Sequence, residues 1–205
     1  QSLIDLARLA EGLDSPYRPL EISQGEGLTA SLFVCDDRRS WHRDGGAGSL
    51  LFILDGVVII ETGAGRVVAN EGELLRLPRG LGHSISAGMR STVLLFEPGP
   101  AASGGPEHLP PGLGPEREIL KVNAAAEALR GQPFHWLSLG GCGSHNLDVT
   151  RLWGTSAPHV AEDGPLLLVV YRGVMDYQLG EEEGLAVGSQ LLLVPAGRPL
   201  RLRAE

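Results

Sequence analysis

The sequence predicts an all-β protein in which one β-fold occurs twice. Short apolar runs of strand-like composition follow one another at close spacing along the chain. Glycine and proline account for 29 and 14 of the 205 residues, which is typical of many short strands joined by turns. Several glycine, proline and histidine positions also recur 117 residues further along the sequence. These observations favour two sandwiches or barrels in tandem.

The first half of the chain begins with a predicted helix and continues as strands. Residues 2–13 place leucine and isoleucine at roughly helical spacing and predict a short amphipathic helix. Pro78 and Gly80 predict a tight turn that holds His83 where the next strand begins. Gly56 interrupts a long apolar run and predicts a bend or bulge. The predicted strands cover residues 28–35, 50–61, 65–70, 73–77, 83–86 and 91–97.

A segment crowded with proline and glycine separates the two halves. Residues 99–116 therefore predict a linker between a first domain, 1–98, and a second domain, 117–205. A second short helix is predicted at about 123–130, with Asn123 as its N-cap. Strands are then predicted at 147–153, 166–171, 174–179 and 190–194.

The internal repeat is the strongest single observation in the sequence. Five pairs of landmarks share the offset of 117 residues: Gly56 and Gly173, Pro78 and Pro195, Gly80 and Gly197, His42 and His159, Pro16 and Pro133. The counterpart of strand 91–97 would lie beyond Glu205. The second copy is therefore expected to lack its closing strand or to borrow one, and either Glu116–Val122 or another protomer is the candidate cover.

Composition and charge exclude several classes of partner. The formal net charge is -8, and the 17 lysines and arginines form no cluster, so no surface for nucleic acid or anionic membrane is predicted. No apolar run approaches the ~20 residues of a membrane span. Cys35 and Cys142 form no metal or redox spacing. We predict a cytoplasmic protein whose partner is a small molecule, with a homodimer left open.

Two motifs carry a resemblance to a known family. Residues 72–83 have the order Gly-(five residues)-Pro-x-Gly-x-x-His, which resembles the second motif of the cupin superfamily. His42, Asp44, Ser49 and Gly56 match the spacing of the first cupin motif, His-x-His-(four residues)-Glu-(six residues)-Gly. The chain thus resembles a bicupin, which implies two tandem jelly-roll barrels (double-stranded β-helices), each preceded by a short helix. Cupins host enzymes, binding proteins, storage proteins and sensors, so the fold alone implies no activity.

The resemblance implies a metal site in the first copy and none in the second. The four ligand positions of the family fall on His42, Asp44, Ser49 and His83 in the first copy, and serine is a poor ligand. In the second copy they fall on His159, Ala161, Leu166 and Leu200. The set His42, Asp44 and His83 resembles the facial triad of two histidines and one carboxylate that suits Fe(II), and it could also accept Zn, Mn or Ni.

Two functions stay open at this point. In the first, the protein binds a small molecule in the N-terminal barrel, with Trp41 and Phe52 lining the pocket. The histidines then either hold one divalent metal or form a relic pocket bonded to water or backbone. In the second, the protein is a metal-dependent enzyme of the oxygenase or isomerase type that uses His42, Asp44 and His83. A structural role, in which the second copy serves as a partner surface, is a third alternative.

Overall fold

The computed structural model describes residues 2–25, 27–37, 42–43, 48–99, 119–162 and 164–205, with the backbone alone for 42–43. Strands dominate these residues, and two short helices accompany them, so the all-β prediction is confirmed. The predicted linker, 99–116, lies outside the described residues apart from Gly99.

The first half of the chain contains ten strands and one helix among the described residues. Leu3–Asp5 is a strand rather than the start of the predicted helix. Gly56, with a φ of +86°, divides the predicted run 50–61 into two strands. The elements are β1 (Leu3–Asp5), α1 (Leu6–Glu11), β2 (Leu20–Gly25), β3 (Leu28–Cys35), β4 (His42–Arg43), β5 (Ser49–Asp55), β6 (Val57–Thr62), β7 (Gly65–Asn70), β8 (Glu73–Leu77), β9 (Gly82–Ser86) and β10 (Ser91–Pro98).

The second half contains a similar series. The elements are β11 (Ile119–Lys121), α2 (Val122–Ala128), β12 (Trp136–Cys142), β13 (His145–Thr150), β14 (Gly154–Thr155), β15 (His159–Val160), β16 (Leu166–Val170), β17 (Val174–Leu179), β18 (Glu182–Val187), β19 (Gln190–Val194) and β20 (Pro199–Ala204). The predicted helix at 123–130 and the four predicted strands are present within a few residues of their predicted bounds. In this half, sequence reasoning missed β12, β14, β15, β18 and β20. It also placed the helix N-cap at Asn123, which lies inside α2 because the helix begins at Val122.

The chain divides into two compact units. We call residues 13–125 with 137–149 the first unit, and residues 1–12, 126–136 and 150–205 the second unit. Each unit includes a segment from the other half of the sequence, and the domain bounds at 98 and 117 stay a prediction.

The first unit contains two antiparallel sheets that share a core. The six-stranded sheet has the order β11-β8-β5-β10-β3-β2, and the four-stranded sheet has the order β4-β9-β6-β7. The core residues alternate along their strands, as the two-residue period of a strand requires. Leu51 and Ile53 come from the larger sheet, whereas Ile60 and Ile85 come from the smaller one, and all four are almost fully buried.

The second unit is built around the strands of the second half. Its sheets have the orders β1-β19-β16 and β14-β20-β17-β18, with β15 also paired to β20. Leucines of β16, β19 and β20, with Met175 and Tyr177 of β17, form its core. Leu3 of β1 packs against this core.

Two short strands, β1 and β11, each lie in the unit opposite to the one that the sequence predicted for them. Leu3 and Ile4 of β1 pair with Leu192 and Leu191 of β19, which makes β1 part of the second unit. The described part of the predicted covering segment, Ile119–Lys121, pairs with β8 in the first unit instead of covering the second copy.

The sequence repeat is also a repeat of strand pairing. Leu51 is opposite Leu75 in the pair β5–β8, and 117 residues later Leu168 is opposite Leu192 in β16–β19. Likewise, β4–β9 pairs His42 with His83, and β15–β20 pairs His159 with Leu200. The two halves therefore share register as well as landmarks.

Candidate metal centre

The turn before His83 has the geometry that its proline and glycine predict. The backbone N–H of Leu81 donates a 3.2 Å hydrogen bond to the carbonyl of Pro78, which closes a four-residue turn. Gly80 has a φ of +72°, a conformation that glycine adopts without steric cost. Strand β9 begins at Gly82, so His83 is the second residue of a strand held by this turn.

The ring of His83 is buried and fixed in one orientation. The side chain is 1% exposed, and its Nδ1 lies 2.9 Å from the carbonyl oxygen of Leu81. A carbonyl oxygen only accepts, so Nδ1 carries the proton and donates it. In the neutral ring the lone pair is then on Nε2, which is itself shielded from solvent. Metal-binding histidines use this arrangement, because a hydrogen bond from one ring nitrogen orients the other toward the metal.

The backbone brings His42 directly opposite His83. The antiparallel pair β4–β9 places His42 against His83 and Arg43 against Gly82. Residues directly opposite each other in an antiparallel pair share one face of the sheet. Trp41 and Asp44, the other two predicted site residues of this segment, lie outside the described residues.

Ser49 occupies the family's glutamate position and faces the core. It pairs with Leu77, and it shares its face of β5 with Leu51 because strand residues alternate. Its side chain is 4% exposed, yet no atom of the described residues forms a hydrogen bond with its Oγ. Buried hydroxyls without a partner are uncommon in proteins, and a bound water or ion is one ordinary explanation.

Phe52 lies on the other face of β5. It is opposite Leu74 and Leu94, and it is buried, with 7% of its surface exposed. Because strand residues alternate, Phe52 is directed away from the face that carries Ser49. The structure therefore does not bring Phe52 together with His83, and the proposed contact of Phe52 with a ligand stays a prediction.

Glu97 is a residue that sequence reasoning did not consider. It lies near the end of β10 and is partly buried. Leu95 of the same strand is opposite Leu51, and both contribute to the first unit's core. Glu97 follows Leu95 by two residues, so it lies on the same face of the sheet. A carboxylate at the core-facing end of β10 is thus a further oxygen donor in this region.

The donor types named above, imidazole nitrogen and carboxylate oxygen, are types that divalent first-row metals accept. His83 offers an imidazole nitrogen, Glu97 a carboxylate, and His42 a second histidine by backbone register. The part of the chain that the structure describes holds no group of three or more His, Cys, Asp or Glu residues arranged for a metal. That description covers neither the His42 side chain nor Asp44.

The counterpart region in the second unit has a different composition. His159 is exposed and is opposite Leu200, which is 2% exposed and belongs to the core. Leucine offers no donor atom, so this strand pair presents one histidine where the first unit presents two.

Comparison with known proteins identifies the fold. No protein-family model matches the sequence, and a search of curated proteins finds no match. Among solved structures, a cupin 2 conserved barrel domain protein from Leptotrichia buccalis superposes with a TM-score of 0.77 at 15% identity, over 99% of this chain and 90% of the other. Salicylate 1,2-dioxygenase from Pseudaminobacter salicylatoxidans superposes with a TM-score of 0.73 at 16% identity, over 99% and 80%. A variant of that enzyme in complex with gentisate also gives 0.73, over 99% and 78%. The chain has the cupin β-barrel fold.

The helices are also relevant to whether the chain could span a membrane. Neither α1 nor α2, nor any other helix within the described ranges, is long and apolar enough to cross a membrane.

Proposed function

We propose that the chain is a bicupin whose first barrel binds a small molecule at a divalent metal held by His42 and His83, with Asp44 as a further ligand. The observation that carries this proposal is the strand register that sets His42 directly opposite the buried His83. Two histidines paired across neighbouring strands are close enough in principle to share one ion.

The hydrogen bond of His83 favours metal binding at its other ring nitrogen. A metal ligand must present an unprotonated nitrogen, and the carbonyl of Leu81 keeps the proton on Nδ1. In the neutral ring, Nε2 therefore carries the lone pair that a metal would bind. A bound divalent ion would supply a Lewis acid with open positions for a ligand.

The surroundings support a small and largely apolar ligand. The core beside the candidate site consists of aliphatic side chains such as Leu51, Leu77 and Ile85. Ser49 adds a buried hydroxyl that can donate or accept one hydrogen bond. Small-molecule sites commonly combine an apolar lining with a few polar groups of this kind.

A second candidate is a metal-dependent enzyme of the oxygenase type. The superposition with salicylate 1,2-dioxygenase over 99% of the chain favours it. In this candidate, the first barrel would take a small aromatic acid such as salicylate or gentisate at the metal. An enzyme would convert such a ligand into a product, whereas a binding protein would only bind it.

Metal analysis and ligand binding test the proposal together. Protein purified without chelator and loaded with Fe(II), Mn(II), Zn(II) or Ni(II) should hold about one metal per chain by ICP mass spectrometry. Salicylate or gentisate should then raise the melting temperature of the loaded protein and not of the stripped protein. Less than about a tenth of an equivalent of every metal after loading would contradict the proposal.

Oxygen uptake separates the two candidates. Consumption of dissolved oxygen with salicylate or gentisate, dependent on Fe(II), would favour the enzyme. Ligand-dependent stabilisation without oxygen uptake would favour the binding protein.

Cytoplasmic location and a homodimer stay predictions. Light scattering of the full chain would support a homodimer if it gave twice the mass of one chain.

A further inference from the structure

In the larger sheet of the first unit, Ser49 and Glu97 lie on the neighbouring strands β5 and β10. In the pair β5–β10, Leu95 is opposite Leu51 and Phe96 is opposite Leu50. This register ends at Phe96 and Leu50; if it continued by one residue in each strand, Glu97 would be opposite Ser49. Both residues belong to their strands, and both share the core-facing side with Leu51 and Leu95.

This pair lies at the same end of the sheets as His83. Ser49 is opposite Leu77, the last residue of β8. Only residues 78–81 separate Leu77 from β9, in which His83 is the second residue. The 3.2 Å hydrogen bond from the Leu81 N–H to the Pro78 carbonyl folds this connection into a turn, which brings the end of β8 close to the start of β9.

Ser49 stands where the cupin motif has a glutamate, so the motif lacks one carboxylate ligand here. A glutamate at this position would bring a carboxylate toward the core, whereas serine brings a short hydroxyl. The Ser49 Oγ is buried and has no hydrogen-bond partner among the described residues, so a polar group or ion is expected beside it. The neighbouring strand β10 carries Glu97 on the same core-facing side, and its side chain is as long as that of a glutamate at position 49.

We propose that Glu97 supplies the carboxylate that residue 49 lacks, and that it binds the metal together with His42 and His83. This inference rests on the proposed function, because it assumes that the first unit holds a metal. The carboxylate has moved from β5 to β10, while the histidines keep their places on β4 and β9. Glu97 also compensates the positive charge of the ion, which serine does not.

Metal affinity of two matched variants tests this assignment. Glu97→Gln keeps the size of the side chain and removes its charge. Glu61→Gln makes the same change on β6 of the same unit. Val58 and Ile60 of β6 belong to the core, so Glu61 lies on the opposite face of the strand, away from the core. Titration calorimetry with Mn(II) and the visible spectrum of the Co(II)-loaded protein report binding and coordination, and neither depends on activity.

We expect Glu97→Gln to weaken Mn(II) binding by at least about tenfold and to change the Co(II) spectrum. Glu61→Gln should change neither. The double variant Ser49→Glu with Glu97→Gln should recover binding to within about threefold of the wild type, because it returns the carboxylate to β5.

The outcomes distinguish this inference from the proposed function. If His83→Gln abolishes Mn(II) binding and Glu97→Gln binds as tightly as the wild type, the metal site stands and the assignment of Glu97 is overturned. If His83→Gln also binds as tightly as the wild type, the proposed metal site itself fails. Loss of binding in Glu97→Gln without recovery in the double variant would contradict the exchange of carboxylates between strands.

Discussion

The backbone carbonyl of Leu81 accepts a 2.9 Å hydrogen bond from the Nδ1–H of His83, two residues further along the chain. The turn from Pro78 to Leu81 therefore sets both the position of the ring and the nitrogen that carries its proton. A ring held in this way presents Nε2 as its ligand atom.

The first prediction concerns the tautomer of His83. In protein stripped of metal, long-range ¹⁵N–¹H NMR spectra should show the proton of the neutral His83 ring on Nδ1, because Leu81 offers only an acceptor. Addition of Zn(II) should shift the Nε2 resonance much more than the Nδ1 resonance. A proton on Nε2 in the stripped protein would contradict the hydrogen bond.

The second prediction compares two histidines at equivalent positions of the strand pairs. His83→Gln should abolish metal retention, because it removes a buried imidazole, while circular dichroism shows an unchanged content of strands. His159→Gln should leave the metal content unchanged, since His159 is opposite Leu200. Equal metal content in both variants, measured by ICP mass spectrometry, would argue against a role for His83.

The third prediction concerns the junction of β5 and β6. Gly56 has a φ of +86°, and a Cβ atom there would lie 2.3 Å from the Oγ of Ser91. That hydroxyl is 3.0 Å from the backbone N–H of Val57, so it cannot move without losing a hydrogen bond. Gly56→Ala should reduce the free energy of unfolding by about 2–4 kcal/mol.

Gly63→Ala is the control for this substitution. Gly63 has no heavy atom within 4 Å of an added Cβ and no left-handed φ. Urea unfolding should show a change of at most about 1 kcal/mol in the control. Equal midpoints for the two variants would contradict the close packing of Gly56 against Ser91.

The fourth prediction concerns stability at high pH. Burial raises the pKa of the Cys142 thiol from the ordinary 9.0 to about 11; Arg76 lowers this pKa and Glu97 raises it by smaller amounts. The folded state thus keeps its proton over a pH range in which the unfolded state has lost it. Stability should be intact below about pH 9 and should fall between about pH 9 and 11, by up to about 3 kcal/mol.

Cys142→Ala isolates the contribution of the thiol. Burial also raises the pKa of Tyr177, and that group titrates in both proteins. Urea unfolding at about pH 8 and about pH 10.5 should therefore show a smaller loss of stability in the variant than in the wild type. Parallel losses in the two proteins would show that the thiol is not protected by burial.

Local sequence patterns predicted the central strands because those strands carry their own signals. Runs such as 28–35 and 65–70 combine β-branched or aromatic residues with flanking glycines, and the structure confirms both as strands. Gly56 and Gly80 both adopt positive φ, as their roles at a bend and in a turn require.

Nonlocal pairing explains the elements that local patterns did not reveal. Leu3 and Ile4 have helical spacing with the residues that follow, but they pair with β19, which is more than 180 residues away in the sequence. Tertiary pairing decides the conformation of such a short segment. Trp136–Cys142 was missed for another reason, since its two consecutive glycines have low strand propensity.

The sequence predicted the histidines of the candidate site, and Asp44 with them, but it did not predict Glu97. Motif spacing identified His42 and His83, and the strand register pairs them. Glu97 follows four consecutive apolar residues, which do not show which face of the strand it occupies. An irregularity between Thr92 and Val93 also shifts the register of β10 against β5, so the face depends on a pairing that one sequence does not contain.

Anomalous diffraction tests the central claim most directly. Crystals of protein purified without chelator and soaked in Mn(II) would be measured at a wavelength where Mn(II) scatters anomalously. We expect one strong peak in the anomalous difference map, between the side chains of His42 and His83 and within coordination distance of both. A map with no peak there, or with a peak elsewhere only, would contradict the account.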